Sequence, residues 1–345
     1  MNSIRQAIDA LVSEGAVEAE TLSAAFGEIM DGEASSATAA GLLIALRMKG
    51  ETVEEIVAVA RALRARATTV KVQDPKTIDT CGTGGSGLDT FNISTTAAFV
   101  VAGAGVSVAK HGNRAATSRS GSFDVFEALG IRIDLPVETC AAILDEVGIA
   151  PFFARTAHPA FRHVAPVRAE LGVRTLLNCM GPLLSPVDAR YQLVGVYSRE
   201  LVEPLALALR ELGAVRALVV HGSDGMDELT TTGTSVAALA TAEGIETMTI
   251  DPQSLGVPRA SHEDLVGGTP VENAETTRAI LDGAKGAKRD IVVLNAAAAI
   301  WVAGKAASLE EGLALAAKSL DSGEARAHFE ALAKATQDAD VGVTA

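Results

Sequence analysis

The densest run of chemically useful residues is Asp79-Thr80-Cys81-Gly82-Thr83-Gly84-Gly85-Ser86-Gly87, which follows a strand-like Ile78-Asp79-Thr80 and leads to a helix start near Asn92-Ile93-Ser94-Thr95. Glycines without Cβ let backbone amides approach an anion, and a helix N-terminus adds roughly half a positive charge, so the segment predicts a phosphate cradle. It lacks the lysine of a Walker loop and the order of GxGxxG, so neither nucleotide fingerprint applies. An ordinary glycine turn is the competing reading, and the segments that follow weigh against it.

Lys110-His111-Gly112-Asn113-Arg114 offers three potentially cationic groups and an amide at another strand's C-terminal end, where open α/β sheets bind ligands. A solvated charge cluster is the bland alternative. In so acidic a chain, however, basic residues gathered beside a second small-residue loop, Thr117-Ser118-Arg119-Ser120-Gly121-Ser122, point to a second anion cradle. Two cradles imply two phosphate groups. Downstream, His221-Gly222-Ser223-Asp224-Gly225-Met226-Asp227-Glu228 follows the strand-like Ala217 to Val220. Alone it reads as an acidic turn. Beside two phosphate cradles, Asp227 and Glu228 suit magnesium, which takes few protein oxygens and shares the rest with water and substrate phosphates.

The stretch from His158 to Arg168 supplies recognition groups, since a guanidinium fork matches a carboxylate bidentately. Surface or capping roles for these two residues stay equally open. Asn178-Cys179-Met180-Gly181-Pro182-Leu183 can wall an apolar slot or simply form a turn. His262, His328 and Trp301 lie in segments without other site features and read as solvated or packing residues.

The elements that must position these groups fall into two patterns. Residues 1–72 read as helices only, with apolar positions at helical spacing in Ile4, Ile8 and Leu11, in Leu22, Phe26 and Ile29, and from Leu42 to Leu46. Gly50 suits a helix end, and Thr52-Val53-Glu54-Glu55 a capping box that starts the next helix. Residues 73–345 alternate β-branched runs with helical segments: Thr77 to Thr80, Val106 to Lys110, Leu193 to Tyr197, Ala217 to His221 and Ile291 to Asn295 read as strands, Glu200 to Leu212 and Asp124 to Leu129 as helices. The expected fold is therefore a small all-helical N-terminal domain and a larger α/β domain with a central, mostly parallel sheet flanked by helices, hinged near residues 67–76.

Composition bounds the rest. The chain has 345 residues, enough for two domains, with 48% hydrophobic but only 3% aromatic residues, so Ala, Val, Leu and Ile must fill its core. A formal charge of −14 repels nucleic acid and anionic membrane, which makes phosphate binding a local affair. Cys81, Cys140 and Cys179 lack zinc or redox spacing and are expected as buried free thiols. No basic n-region opens the chain and no apolar run reaches the roughly 20 residues that span a bilayer, so a cytoplasmic enzyme with no membrane partner is expected.

Taken in order, the runs DTCGTGG, FNIST, AKHGNR, GPL, VVHG and DGMDELTTTG resemble those of the anthranilate phosphoribosyltransferases of tryptophan biosynthesis, and the similarity extends from the first helices to about residue 335. The resemblance implies a homodimer formed through the helical domain, to which a segment near 172–190 contributes. It implies two substrates, phosphoribosyl pyrophosphate and anthranilate, with Mg2+ as cofactor. It leaves open whether an anthranilate synthase subunit associates. Gly82, Thr83, Gly84, Gly85, Ser86, Thr90, Asn92, Ser94, Thr95, Lys110 and Ser122 would hold the donor, and Ser94, Asp227 and Glu228 the metal. Gly82, His111, Asn113, His158, Gly181, Pro182 and Arg168 would line the acceptor's path, with Arg168 on its carboxylate and Lys110 on the leaving group. The chain departs from the family pattern at Ser86 (Asp expected), Thr117 (Ser), Phe123 (a small residue that would not crowd the second cradle), Ser185 (Asn) and Arg155-Thr156 (small residues or proline). A pyrimidine-nucleoside-phosphorylase-like enzyme shares such an architecture, but Lys110 to Arg114 and Asp227-Glu228 favour the transferase. A non-catalytic nucleic-acid-binding paralogue would need a basic groove that the net charge disfavours.

Overall fold

A computed structural model describes residues 2–115 and 119–339, which leaves the Thr117 departure outside the described residues. Four helices open the chain: α1 (Ser3–Ser13), α2 (Ala19–Met30), α3 (Ser36–Lys49) and α4 (Val53–Arg64). Each buries an apolar stripe, as α1 does with Ile4, Ala7 and Leu11. Gly50 closes α3 at φ 87°, a left-handed conformation that suits glycine. The Thr52–Glu55 capping box then starts α4, with Thr52 N donating to Glu55 Oε2 at 2.9 Å and Glu55 N to Thr52 Oγ1 at 3.3 Å.

The larger part is a seven-stranded sheet in the order β3-β2-β1-β4-β5-β6-β7. Its strands are β1 (Ile78–Gly82), β2 (Val108–Gly112), β3 (Ile149–Phe153), β4 (Tyr191–Gly195), β5 (Arg216–Gly222), β6 (Ser235–Thr241) and β7 (Ile245–Ile250). The first five run parallel, while β6 and β7 are antiparallel. Helices α5 (Ile93–Gly103), α6 (Ser122–Ala128), α7 (Val137–Val147), α8 (Ala154–Ala157), α9 (Ala165–Leu171) and α10 (Val202–Glu211) join the parallel strands. After β7 come α11 (Pro270–Leu281), α12 (Ala287–Val302), α13 (Leu309–Asp321) and α14 (Glu324–Asp338).

Two apolar clusters sandwich the sheet. One packs α5, α7, α12 and the C-terminal helices on one face. The other joins α1 to α4, the stretch 164–184, α10 and the opposite face of β4, β5 and β6. Segment 67–76 is pinned to the larger part, with Thr68 N donating to Ala157 O at 2.8 Å and Val70 N to Pro186 O at 2.9 Å.

The structure corrects one element and adds three. Ile291 to Asn295 is the middle of α12, not a strand, because the apolar run continues through Ala296–Ala299 and is buried on all sides between the sheet and α13. A fully buried helix and a buried parallel strand share the same unpatterned sequence signature. β3, β6 and β7 were not anticipated: Ile149–Phe153 contains Pro151, and β6 is rich in Ala, so neither carries the β-branched density that marks a strand. The three cysteines are free and buried.

Close helix packing sets a test. A Cβ on Gly312 of α13 would lie 2.5 Å from the carbonyl oxygen of Ala297 on α12, backbone that cannot swing aside. Gly312→Ala is expected to destabilise the protein by about 1–3 kcal/mol despite the higher helix propensity of alanine. Chemical denaturation that shows equal or greater stability would contradict this account of the α12–α13 contact.

Candidate active site

β1 and β4 are neighbours, yet their following helices α5 and α10 lie on opposite faces of the sheet. A crevice opens at the carboxyl ends of strands where the winding reverses in this way. Register aligns Gly82 with Gly195 at that crevice. A Cβ on Gly195 would overlap the backbone carbonyl of Asp227, and one on Gly82 would meet Asp227 Oδ2 at 3.0 Å. The missing side chains let loop 223–234, which follows β5, cross the ends of β1 and β4.

That loop is held from within and from behind. Asp224 Oδ2 accepts from Thr230 Oγ1 at 2.7 Å and Thr232 Oγ1 at 2.6 Å. Asn295, buried in α12, accepts from Leu229 N at 3.0 Å and donates to Leu229 O at 2.9 Å. Asp227 and Glu228 are thereby fixed in the crevice. Glu228 Oε1 accepts from Ser94 N at 3.2 Å, so the start of α5 faces this carboxylate. Asp227 receives hydrogen bonds from the Ser86 side chain and the Gly84 amide, with His221 nearby. Burial raises the pKa of Asp227, and burial followed by the charge of Asp227 pushes Glu228 up to about 8.

The glycine loop itself is tied down at both ends. Thr83 N donates to Gly195 O at 2.8 Å, and Thr83 Oγ1 accepts from Tyr197 N at 3.1 Å. At the far end Thr90 bridges Val266 and Gly267 N donates to Asp89 O at 2.7 Å. Between them Gly84, Gly85 and Gly87 adopt φ of 66°, 81° and 76°, and the amides of Gly85, Ser86 and Gly87 donate to no described residue. These exposed donors beside the start of α5 are what an oxyanion requires. Asn92, next in line, accepts on Oδ1 from Asn273 Nδ2 at 2.9 Å and Ser120 Oγ at 3.0 Å, which joins the first loop to the second. Thr95 is buried and its hydroxyl has no hydrogen-bond partner among the described residues.

Lys110, 2% exposed, donates to the carbonyl of Thr80 and lies close enough to Asp79 and Glu228 to favour their ionised forms. The other two groups of the basic cluster are not free cations. Burial brings His111 down to about 3, so it is neutral at physiological pH. Arg114 is paired with Glu127 and Asp124 of α6. The expected three-cation cradle is one buried ammonium. Ser122, at the start of α6, donates through Oγ to Asn113 O at 3.3 Å. Phe123 does not crowd this turn: it is fully buried, stacked on Phe153 at 5.0 Å and edge-on to Phe126 at 5.4 Å.

On the other face of β2, the His111 ring meets His158 edge-on at 5.3 Å. His158 Nε2 donates to Leu184 O at 2.8 Å, and burial lowers His158 to about 4. The His111 nitrogens lack a well-aligned partner, with only a loose approach to the Gly181 backbone. Pro182 follows, its carbonyl accepting from Gln192 Nε2 at 2.7 Å. Both rings are neutral, and Phe161 meets His158 edge-on at 6.0 Å. Arg168 projects from α9, whose Val167 packs with the preceding Val164 into the helical-side cluster. Burial lowers its pKa, and its guanidinium makes no hydrogen bond or ion pair with any described residue.

Several positioning residues escaped the sequence. Asp224, Asn273 and Asn295 hold the two loops, and Asp79 sits under them, pushed up to about 7 by burial against the pull of Lys110. An amide inside the apolar run Ile291–Ile300 is a readable signal, since a buried polar group must find a partner.

The raised Glu228 value gives a pH test. Its folded value of about 8 lies above the unfolded carboxylate range, so its contribution to stability is intact at low pH and is lost as pH rises through 8. In metal-free buffer the melting temperature of Glu228→Gln minus that of the native chain should grow from pH 5.5 to 8.5. A difference that stays constant, or shrinks, would place an ionised Glu228 at no cost.

The helical bundle domain of a glycosyl transferase family matches residues 5–67, and the a/b domain of the same family matches residues 74–326. An anthranilate phosphoribosyltransferase of Moorella thermoacetica is 53% identical over 304 residues, 88% of this chain and 90% of the relative. One of Rubrobacter xylanophilus is 54% identical over 320 residues, 92% of each. Among solved structures, an anthranilate phosphoribosyltransferase of Thermus thermophilus shares 45% identity and a TM-score of 0.91, covering 98% of this chain and 100% of that one. A Saccharomyces cerevisiae anthranilate phosphoribosyltransferase in complex with phosphoribosyl pyrophosphate and Mg shares 25% identity and a TM-score of 0.90 over 98% of each chain. With this identity sustained over nearly its whole length, the chain belongs to the anthranilate phosphoribosyltransferase family.

Proposed function

We propose that the chain transfers the phosphoribosyl group of phosphoribosyl pyrophosphate to the amine of anthranilate, giving N-(5-phosphoribosyl)anthranilate and pyrophosphate. The observation that carries this reading is the crevice between β1 and β4, where free loop amides stand against two adjacent, half-buried carboxylates, Asp227 and Glu228. Two adjacent carboxylates with one nearby ammonium leave negative charge uncompensated, which fits a divalent cation held by Asp227, Glu228 and the Ser94 hydroxyl. Magnesium bound there would neutralise and orient the donor's pyrophosphate.

The chain's own residues then do the following. Gly82 to Ser86, with Thr90, Asn92, Ser94 and Thr95 at the start of α5, bind the pyrophosphate through amides and hydroxyls, and Ser122 binds the second phosphate. As the C1–oxygen bond breaks, charge grows on the leaving pyrophosphate, and Lys110 offsets it from a fixed, buried position. Gly82, His111, Asn113, His158, Gly181 and Pro182 shape the path of the acceptor, and the unpaired Arg168 takes its carboxylate as a bidentate pair. The aromatic amine is neutral and attacks C1 directly; the resulting N–H proton passes to water. His111 and His158 are neutral and orient the ring, so orientation rather than proton transfer sets the rate.

Met48 and Val173, 83% and 52% exposed, form with Ile44 an apolar concavity on the helical side, flanked by Arg47 and Arg174. This surface supports a homodimer made through the helical domain, residues 1–72 with the contributed segment 172–190. Residues 73–345 are proposed as the catalytic domain.

Protein mixed with magnesium, phosphoribosyl pyrophosphate and anthranilate should extinguish anthranilate fluorescence. No loss, together with phosphate-dependent cleavage of thymidine, would overturn the assignment. Arg168→Ala should raise the KM for anthranilate about tenfold or more, as expected for loss of a charged hydrogen-bond pair, and leave the donor KM nearly unchanged. Equal effects on both substrates would remove Arg168 from the acceptor's carboxylate.

A further inference from the structure

Asp79 and Cys81 lie two residues apart on β1, so their side chains share one face of the sheet. Counting on from the Ile78–Val108 pair sets His111 of β2 opposite Cys81. A carboxylate oxygen, the thiol sulfur and an imidazole nitrogen from these three residues lie within 4.8 Å of one another. All three are buried, Asp79 at 0%, His111 at 3% and Cys81 at 7% exposure. Among the described residues neither ring nitrogen of His111 has a well-aligned hydrogen-bond partner, only the loose approach to the Gly181 backbone, and Asp79 Oδ2 has none. The Cys81 sulfur makes only a 3.6 Å contact with its neighbour's carbonyl. Buried polar atoms without well-aligned partners are costly for a protein to keep unless something occupies the space between them.

We propose that Asp79, Cys81 and His111 form a second cation site, distinct from the carboxylates assigned to magnesium, that takes a borderline-soft divalent cation of the zinc type. The donor set decides the class of ion. Magnesium prefers oxygens in an octahedron, whereas a thiolate, an imidazole and a carboxylate suit zinc and its neighbours and leave a fourth position open. Coordination deprotonates the thiol and releases its proton to solvent. Thiolate and carboxylate then balance the dication, so the occupied site carries no net charge. The same event pins the His111 ring that stands edge-on to His158. Zinc is therefore an inhibitor directed at the acceptor, a consequence that rests on the acceptor role proposed for His111.

The untagged, metal-free full chain is titrated with Co2+ in excess Mg2+. A thiolate-to-cobalt charge-transfer absorption saturating at one equivalent, and abolished by Zn2+, is expected. Cys81→Ser should lose this absorption and keep Mg2+-dependent turnover, whereas Cys140→Ser and Cys179→Ser should keep both. Asp79→Asn, which preserves shape, should weaken Co2+ binding about tenfold or more. No charge-transfer absorption in the native chain, or one that survives Cys81→Ser, overturns the site. Zn2+ should inhibit competitively with anthranilate, and Cys81→Ser should relieve it. Cobalt binding without any inhibition would leave the metal site standing and remove His111 from the acceptor pocket.

Discussion

A carboxylate drawn partly out of water is penalised unless it is paired, and this chain sets two half-buried ones side by side, Asp227 and Glu228, at the crevice between β1 and β4. Much of the surrounding structure answers that strain. Gly82 and Gly195 leave room for the loop that carries them. Asp224 and Asn295 make the loop rigid, so that it cannot relax by turning the acids toward solvent. The Ser94 amide at the start of α5 meets Glu228, and Lys110 lies close enough to favour its ionised form. The partial compensation leaves a demand for positive charge on the open side. A site of this kind is prepared before its ligand arrives, and reorganisation during the reaction is small.

Charge also explains why the basic cluster reads differently once folded. In the sequence, Lys110, His111 and Arg114 look like one cradle. A strand sends alternate side chains to opposite faces, so Lys110 goes under the phosphate loop while His111 enters the apolar corner beside His158. Arg114 leaves the strand and is taken by the acids of α6. One motif thus serves the two substrate regions separately.

Legibility followed sequence distance. Motifs whose chemistry is local were readable: the glycine loop, the adjacent acids, the capping box of α4. Partners supplied from far along the chain were not. Asn273 meets Asn92 across 181 residues, and Asn295 meets Leu229 across 66. Burial erased the remaining cues. α12 has no polar face to display a helical period, and β6 is built from alanines that fit helix and strand alike. Phe123 was expected to obstruct, because its direction into the Phe99, Phe126 and Phe153 ring cluster depends on packing that no local pattern reveals.

The two outer strands of the sheet have a consequence of another kind. β3 contains Pro151, which offers no amide hydrogen, and all five of its residues are covered. β7 closes the opposite side as the last strand of an antiparallel meander, with Glu246, Thr247 and Thr249 exposed along it. A sheet so terminated gives a second molecule no clean template to extend, and the acidic surface adds repulsion on approach. For a protein in which Ala, Val, Leu and Ile make up much of the sequence, resistance to strand-by-strand aggregation is therefore built into where the sheet stops.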